Sequence, residues 1–462
     1  MKKYDLAVLG GGPGGYVAAI RASQLGLKTA IIDKDRLGGI CLNWGCIPTK
    51  ALLRNAEVLQ TIKDAGKFGI TIDGYTVDME KTIKRSRQAS DRLSKGVEYL
   101  MKKNKITHFK GTGTLISTGR IKIEKDGKRE TISASRIILA TGGRAKTLPG
   151  VDFDGKRIIG SKEAMLLTKI PKKMIVVGGG AIGVEFAYFF NMYGSQVDII
   201  EILPNILPGE DIDISKELEK EFKKSGIRIH TGTKVEKIDS LKSKVKISIN
   251  KNGLSEILEG DIVLLAVGVT GNVEGIGLKT VGVNVNAGAI EINEFCQTGV
   301  EGIYAIGDVT GPPWLAHVAS SQGLVAAEHA ANRTPIPLDY SFIPGCTYCQ
   351  PQVASMGLTE ADARAEGLDI KVGRFDFRIN GKALATGDHR GFVKLIFDNT
   401  YGELIGCHMI GPEVTELIAE VVTAKSLETT WQELGKTMHA HPTLSESIME
   451  AALDAYDEAI QH

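Results

Sequence analysis

Apolar and polar positions along the chain fall into blocks with two periods. Lys3 to Leu9 is a short, nearly continuous apolar run of strand length, and Tyr16 to Leu25 is an alanine-rich stretch of helical character. A second buried strand is predicted over Thr29 to Ile32, and it ends in an acid, Asp33. Between the first strand and the helix stand Gly10-Gly11-Gly12-Pro13-Gly14-Gly15. Strand, glycine turn, helix, strand and acid predict a parallel βαβ unit with Gly10, Gly12 and Gly15 in the G-x-G-x-x-G positions. Such glycines let the backbone approach a pyrophosphate, the helix N-terminus attracts its charge, and the acid accepts hydrogen bonds from a ribose.

The pattern returns downstream. Lys173 to Val177 reads as a strand, Gly178, Gly180 and Gly183 repeat the triplet, Val184 to Tyr193 is the helix, and Gln196 to Ile200 ends in Glu201. The same offset of 168 residues separates Gly10 from Gly178 and Asp33 from Glu201, while 126 residues separate Gly127 from Gly253 and Gly142 from Gly268. An internal duplication follows, with 42 extra residues in the first copy between Asp33 and Asp126. Alternation at Arg120 to Glu124 and Lys244 to Ile249 predicts a small antiparallel meander in each copy. One dinucleotide and a decayed copy would also fit a duplication. Both copies keep all three glycines and the acid, so two dinucleotides are expected. Glu201 favours NAD over NADP, because a carboxylate accepts free ribose hydroxyls and repels a 2′-phosphate.

After the second copy, Gly302 to Asp308 reads as a buried strand ending in glycine and an acid; it could be only a strand and a turn, but with the first nucleotide unit upstream a carboxylate at Asp308 placed to bind ribityl hydroxyls is the reading we favour. A proline-bearing linker, Thr334 to Pro344, leads into strands near Asp369 to Arg378 and Phe392 to Phe397, then helices over Glu413 to Ser426 and Glu446 to Ile460. The predicted class is α/β: two Rossmann-like dinucleotide-binding domains related by duplication, plus a C-terminal α+β domain. Expected divisions are 1–144, 145–268, a central segment 269–340 completing the first site, and 341–462.

Composition narrows the partners. With 43% hydrophobic and 24% charged residues the chain is ordinary globular protein, and a net charge of +1 supplies no global field for nucleic acid or membrane. The most basic stretch, Lys81 to Lys105, alternates with apolar positions at helical spacing and reads as a solvated helix face. Six cysteines in 462 residues are no secreted disulfide framework, no apolar run has bilayer length, and no leader precedes Tyr4, so a cytoplasmic protein is expected.

The extra segment of the first copy holds the strongest chemistry, Cys41-Leu42-Asn43-Trp44-Gly45-Cys46-Ile47-Pro48-Thr49-Lys50. Pro48 suits the first turn of a helix, so the two cysteines belong at or near a helix N-terminus, which favours thiolates. Their spacing permits a labile disulfide, and we read them as a redox-active pair. Two buried free cysteines would leave Gly38-Gly39, Asn43-Trp44-Gly45 and Lys50 without a reason. A metal site lacks further ligands, and none is expected. His439-Ala440-His441-Pro442 precedes Glu446. A His-x-His pair can ligate a metal, though no third ligand lies near in sequence, and histidines beside turns often make purely structural hydrogen bonds. The Glu446 carboxylate can also orient His441 as a general base, and the His441–Pro442 bond is a candidate for the cis form. Cys346-Thr347-Tyr348-Cys349 is a second C-x-x-C, without a flanking helix or partner ligands, and reads as packing or chance.

Together these residues resemble the flavin-dependent pyridine nucleotide-disulfide oxidoreductases, and among them the dihydrolipoamide-oxidising group. The resemblance covers nearly the whole chain and rests on Gly38 to Lys50, Ala305 to Asp308, Leu315-Ala316-His317, His408 to Pro412 and His441 to Glu446. It implies FAD contacts at Gly12, Asp33, Lys50, Gly113, Thr141, Gly142, Asp308 and Ala316, and NAD contacts at Gly178, Gly180, Gly183, Glu201, Val235 and Gly268. It further implies that Lys50 pairs with Glu185, that Cys46 is the sulfur nearer the flavin, and that His441 and Glu446 come from the neighbouring subunit of a homodimer. The implied activity is oxidation of dihydrolipoamide with NAD, on a lipoyl carrier and alongside the acyltransferase core of a 2-oxo-acid dehydrogenase complex, or in glycine cleavage. The alternatives are a related reductase of another sulfur compound and a mainly structural subunit of such a complex. The chain departs from the family in lacking the arginine and proline usual after Gly268, and in having Asp33 where glutamate is commoner.

Overall fold

In the computed structural model, which describes residues 1–461, the first apolar run is β1 (Lys2–Leu9), followed by α1 (Pro13–Gln24) and β2 (Thr29–Asp33). Helix α1 begins before the expected Tyr16, because Gly12 is its N-cap and Pro13, with φ preset for helix, forms the first turn. The extra segment adds α2 (Gly39–Trp44), α3 (Cys46–Lys63) and α4 (Met79–Lys103). Helix α4 carries the basic stretch: Ile83, Ser86, Ser90, Ser94, Val97 and Met101 are buried, while Lys84, Arg92, Lys95 and Lys102 are exposed, as a solvated face requires. The chain continues through β3 (Thr107–Lys110), β4 (Thr112–Ser117), β5 (Arg120–Lys125) and β6 (Lys128–Leu139). Strand β6 pairs antiparallel with β5 through its first half and parallel with β1 further on, so the meander is joined to the main sheet. The strand order is β3-β2-β1-β6-β5-β4.

The second unit follows β7 (Gly143–Ala145) and consists of β8 (Ile158–Ile159), α5 (Ser161–Ala164), β9 (Lys173–Val177), α6 (Ala181–Met192), β10 (Gln196–Ile200), α7 (Ile212–Lys224) and β11 (Arg228–His230). Strands β12 (Lys234–Ser240), β13 (Val245–Lys251) and β14 (Leu254–Gly260) form the second meander as a separate sheet, and β15 (Ile262–Leu265) completes the parallel sheet β11-β10-β9-β15-β8. The two copies reuse one packing solution. A Cβ on Gly10 would stand 2.0 Å from the Ala140 carbonyl oxygen, and one on Gly178 2.3 Å from that of Ala266; on Gly15 and Gly183 it would stand 1.9 Å from the oxygens of Gly10 and Gly178. The first and third glycines of each loop are therefore demanded by the chain's own backbone.

Strand β16 (Val269–Gly271) pairs antiparallel with β7, joining the chain on either side of the second unit. After α8 (Leu278–Val281), β17 (Val285–Asn286) and β18 (Ala289–Ile290), β19 (Ile303–Ala305) returns to the first sheet beside β6. Helix α9 (Ala316–Ala330) lies against α1, where a Cβ on Gly14 would be 2.7 Å from the Ala319 oxygen. The third unit has β20 (Gly345–Thr347), β21 (Gln352–Gly357), α10 (Glu360–Ala365), β22 (Ile370–Asp376), α11 (Gly381–Thr386), β23 (Phe392–Asp398), β24 (Leu404–Gly411), α12 (Val414–Ser426), α13 (Trp431–Lys436) and α14 (Glu446–Asp454). Its antiparallel sheet runs β20-β21-β24-β23-β22. The last helix stops at Asp454, short of the expected Ile460. Tyr456 leaves the helix axis to stack on Trp431 at 4.2 Å, Asp457 turns left-handed (φ 60°), and the Ile460 amide returns to Glu450.

Candidate redox site

Helices α2 and α3 meet at Gly45, which puts Cys41 in the middle of one and Cys46 at the first position of the other. The two free thiols are hydrogen-bonded to each other. Cys46 opens an 18-residue helix that has no capping side chain, so its sulfur faces unclaimed amides and the positive end of the dipole. The hydrogen bond from Cys41 holds the Cys46 thiol below its ordinary pKa of 9.0, and the Lys50 charge acts the same way against burial. Cys41 is pushed up, first by donating that bond and then by burial, with the charge of Asp308 adding to the effect. Of the pair, Cys46 is therefore the sulfur that more readily gives up its proton. The flanking residues fix α2: Asn43 Nδ2 donates to the Leu37 and Gly39 carbonyls, Arg87 donates to the Asn43 carbonyl, and the Trp44 ring lies between the Arg87 guanidinium at 4.2 Å and Lys162 Nζ at 4.6 Å.

One turn further along α3, Lys50 reaches helix α6. Its Nζ donates to Glu185 Oε1 at 2.8 Å and Oε2 at 3.0 Å, and Glu185 is only 5% exposed. Tyr348, from the third unit, donates its amide to the same Oε1 at 2.9 Å. Sequence reasoning missed Tyr348, because an aromatic residue in an unexplained C-x-x-C segment carries no signal of the loop reaching another domain's helix.

The sequence-predicted nucleotide positions gather at the C-terminal ends of the parallel strands. In the first sheet these are Gly10, Asp33, Thr141 and Gly142, with Asp308 in a 3₁₀ turn after β19, Gly113 on β4, and Ala316 opening α9. Asp33 Oδ2 accepts from Gly11 N at 2.5 Å, and Glu201 Oε2 from Gly179 N at 2.6 Å, leaving lone pairs for hydroxyl donors. In the second unit Gly178, Gly180, Gly183, Glu201 and Gly268 line the equivalent edge, with Val235 on β12. Burial pushes the Asp308 carboxyl up. A Cβ on Gly180 would meet nothing within 4 Å, and one on Gly12 only the Gly39 Cα at 3.9 Å. Both glycines are N-caps of helices without a capping side chain. The middle glycines are thus dispensable to the chain's own packing, and each faces an open anion-binding helix end, which fits a dinucleotide pyrophosphate in each copy. Where the family arginine is lacking, Asn272 Nδ2 instead ties Thr141 O and Gly143 O, holding the segment after β16 to the end of the first unit.

His441 Nδ1 lies 2.8 Å from Glu446 Oε1, while Glu446 Oε2 accepts the Thr443 amide at 2.8 Å, and the His441–Pro442 bond is cis. Burial pulls the Glu446 carboxyl upward, but the Thr443 amide and His441 outweigh it and hold it below the usual range. His441 is 73% exposed, and neither side chain has a hydrogen bond or ion pair to Cys41 or Cys46 among the described residues of its own chain. No group of three or more metal-ligating residues occurs among the described residues. No helix among them is long and apolar enough to cross a membrane.

Residues 4–323 match the family model of pyridine nucleotide-disulphide oxidoreductases, and residues 343–452 match that family's dimerisation domain. The chain is 47% identical to a dihydrolipoyl dehydrogenase of Rhizobium etli and 45% identical to that of Bacillus subtilis, each over 99% of both chains. Among solved structures, LpdA from Mycobacterium tuberculosis superposes with a TM-score of 0.91 at 27% identity, covering 98% of this chain and 99% of that one. The flavoprotein disulfide reductase RclA from Escherichia coli shares the fold, with a TM-score of 0.87 at 24% identity, over 97% of this chain and 99% of that one.

Proposed function

We propose, for a chain that belongs to the pyridine nucleotide-disulphide oxidoreductase family and forms a homodimer through that family's dimerisation domain, that it oxidises dihydrolipoyl groups to lipoyl disulfides with FAD and NAD⁺. The observation that carries this reading is the hydrogen-bonded Cys41–Cys46 pair at the uncapped start of α3, beside the Lys50–Glu185 ion pair. Residues 1–144 and 269–340 would hold FAD through Gly10, Gly12, Gly15, Asp33, Lys50, Gly113, Thr141, Gly142, Asp308 and Ala316. Residues 145–268 would hold NAD through Gly178, Gly180, Gly183, Glu201, Val235 and Gly268, and 341–462 would form the dimer. Bound there, FAD supplies the two-electron relay between the cysteine pair and NAD.

The chain's own residues account for the sulfur chemistry. In the oxidised protein Cys41 and Cys46 share a disulfide bond. His441, held by Glu446 and reaching the neighbouring subunit's site, takes a proton from one thiol of the substrate. That thiolate bonds to Cys41 Sγ, and the Cys41–Cys46 bond breaks with its electron pair on Cys46, the sulfur stabilised by the helix end and Lys50. The second substrate sulfur then closes on the first, expelling Cys41, which takes the second proton. Two electrons have moved from substrate to the pair, leaving a Cys41 thiol, a Cys46 thiolate and a protonated His441. The same reading gives the enzyme a lipoyl-bearing carrier as substrate in the cytoplasm, and the acyltransferase core of a 2-oxo-acid dehydrogenase complex, or a glycine-cleavage system, as its assembly.

The test is turnover of dihydrolipoamide with NAD⁺ by the purified holoenzyme, against Cys46→Ser. Anaerobic titration with dihydrolipoamide is expected to raise a long-wavelength thiolate-to-flavin band that the variant lacks. Turnover no faster than that of Cys46→Ser would refute the assignment.

A further inference from the structure

The segment Cys346-Thr347-Tyr348-Cys349 has no part in the chemistry above, yet it enters the centre of the site from the third unit, and Tyr348 makes three contacts there. Its amide donates to the Glu185 oxygen that also accepts from Lys50. Its ring lies against the Lys50 ammonium, with Nζ 4.4 Å from the centroid. Its hydroxyl lies within interaction range of the Cys346 thiol. The rest of the segment is anchored as well: buried Cys349 donates to the Pro351 carbonyl at 3.3 Å, and Gln350 Nε2 to Glu57 of α3 at 3.1 Å.

We propose that Tyr348 is a positioning residue for the reaction: its ring and amide clamp the Lys50 ammonium against Glu185, and so hold that charge at Cys46. The inference deepens the reading above and rests on it for Cys46 as the reacting thiolate. A lysine side chain has four rotatable bonds, and an ammonium with one carboxylate partner and no aromatic face is free to turn toward water. Among the described residues, those of the chain itself that act on the cysteine pair include Lys50 on α3, Glu185 on α6, Asp308 after β19 and Tyr16 on α1, and on the reading above His441 and Glu446 face it from the neighbouring subunit. Lys50 is the cation that acts on Cys46 from within its own chain, so where it stands bears on how far the Cys46 thiolate is favoured. On this reading the second C-x-x-C is neither a redox couple nor a metal clip. Cys346 lies beside the clamp's hydroxyl and Cys349 is packing.

The experiment follows alkylation of Cys46 by iodoacetamide against pH in a Cys41→Ser background, with the modified site read by peptide mass mapping, in flavin-free and flavin-loaded protein. Tyr348→Leu is expected to raise the midpoint by about half to one pH unit, about three- to tenfold slower alkylation below it. Tyr348→Phe keeps the ring and should stay near the midpoint of the parent protein. An unshifted Tyr348→Leu, or a Tyr348→Phe shifted as far as leucine, overturns the clamp. If Tyr348→Leu folds poorly, Tyr348→Met fills similar space without a ring and carries the same test. Failure of the parent enzyme to oxidise dihydrolipoamide refutes the substrate reading and leaves these midpoints intact as a test of the clamp.

Discussion

Replacing Lys50 with methionine should strand a carboxylate in the interior. Glu185 is 5% exposed; without Lys50 its Oε1 keeps the Tyr348 amide, and Oε2 has no other hydrogen-bond partner among the described residues. Removing one member of a fully buried ion pair costs about 3–5 kcal/mol. Lys50 is 33% exposed, so water offsets part of this, and about 2–3 kcal/mol is the expected loss. At about 2–4 °C per kcal/mol for a unit of 150–250 residues, the melting midpoint should fall by roughly 4–12 °C. Adding Glu185→Gln removes the stranded charge, leaves an acceptor for the Tyr348 amide, and should recover at least half of the loss. Scanning calorimetry at one scan rate and fixed FAD and NAD concentrations measures this, since bound cofactor and irreversibility both move the midpoint. Turnover separates the two roles: the double variant should be as slow as Lys50→Met, because Cys46 has lost its cation in both. A Lys50→Met midpoint within about 2 °C of wild type, or a double variant no more stable than the single, would refute the reasoning.

Gly180→Ala places a methyl where the chain has open space, so the melting midpoint should hold while NAD affinity drops by about tenfold or more; unchanged affinity by calorimetric titration would show that no ligand occupies that space. Glu446→Gln keeps an acceptor for the Thr443 amide but removes the negative charge from His441. Stopped-flow oxidation of dihydrolipoamide should slow by about 10–100-fold, with reduction of the flavin by NADH unaffected. Lys394, 3% exposed, ties α7 and α10 to β23 through Asp211, Asp213 and Glu360. Its removal should lower the urea midpoint at pH 7. Lys394 holds the Glu360 carboxyl below its ordinary value; burial raises the Asp211 carboxyl, but the Asp213 amide and Lys394 bring it below its own. Depressed carboxylates contribute stability above their unfolded values of 3.8 and 4.5 and lose it as pH falls through the folded ones, so the gap between variant and wild type should narrow below about pH 4. A gap that is constant with pH would remove these carboxylates from the account.

The layout of the fold was legible wherever a local rule decides it. Strands such as Lys173–Val177 coincide with their expectation because a buried parallel strand is a bounded apolar run. Helix starts were read late at α1 and α6, since the glycine loop already contains the first turn. The end of α14 was read late because a stack between Tyr456 and Trp431, distant in sequence, overrides helical propensity at Ala455 to Ile460. Helix α2 was not anticipated: Gly39 to Trp44 has poor helical composition and is held by Arg87 and Lys162 from outside it. The cysteine pair and the His441–Glu446 contact were readable because both are short-range. The Lys50–Glu185 contact spans 135 residues and came only through family resemblance, while Tyr348 and the Lys394 network had no sequence signal.

The duplication makes the placement of the extra segment intelligible. Each copy opens at the C-terminal ends of its strands, where the Gly10–Ala140 and Gly178–Ala266 contacts bring strand and loop backbones together. Alpha helix α3 starts at the first opening with Cys46 and ends against the second copy, where Lys63 Nζ donates to the Met192 carbonyl at 2.7 Å. One continuous helix thus reaches from the first unit to the second, with the cysteine pair at one end and Lys50 at the contact with α6. A shift of α6 relative to α3 would have to pull Glu185 from Lys50, so the second unit's position and the charge at Cys46 are mechanically linked. The proposed enzyme needs that linkage, because its cysteine pair and its nicotinamide site belong to different copies and must act on one relay. The third unit contributes to the proposed enzyme twice: Tyr348 meets the Lys50–Glu185 contact within its own chain, and the proposed function assigns the exposed His441 to the neighbour's site.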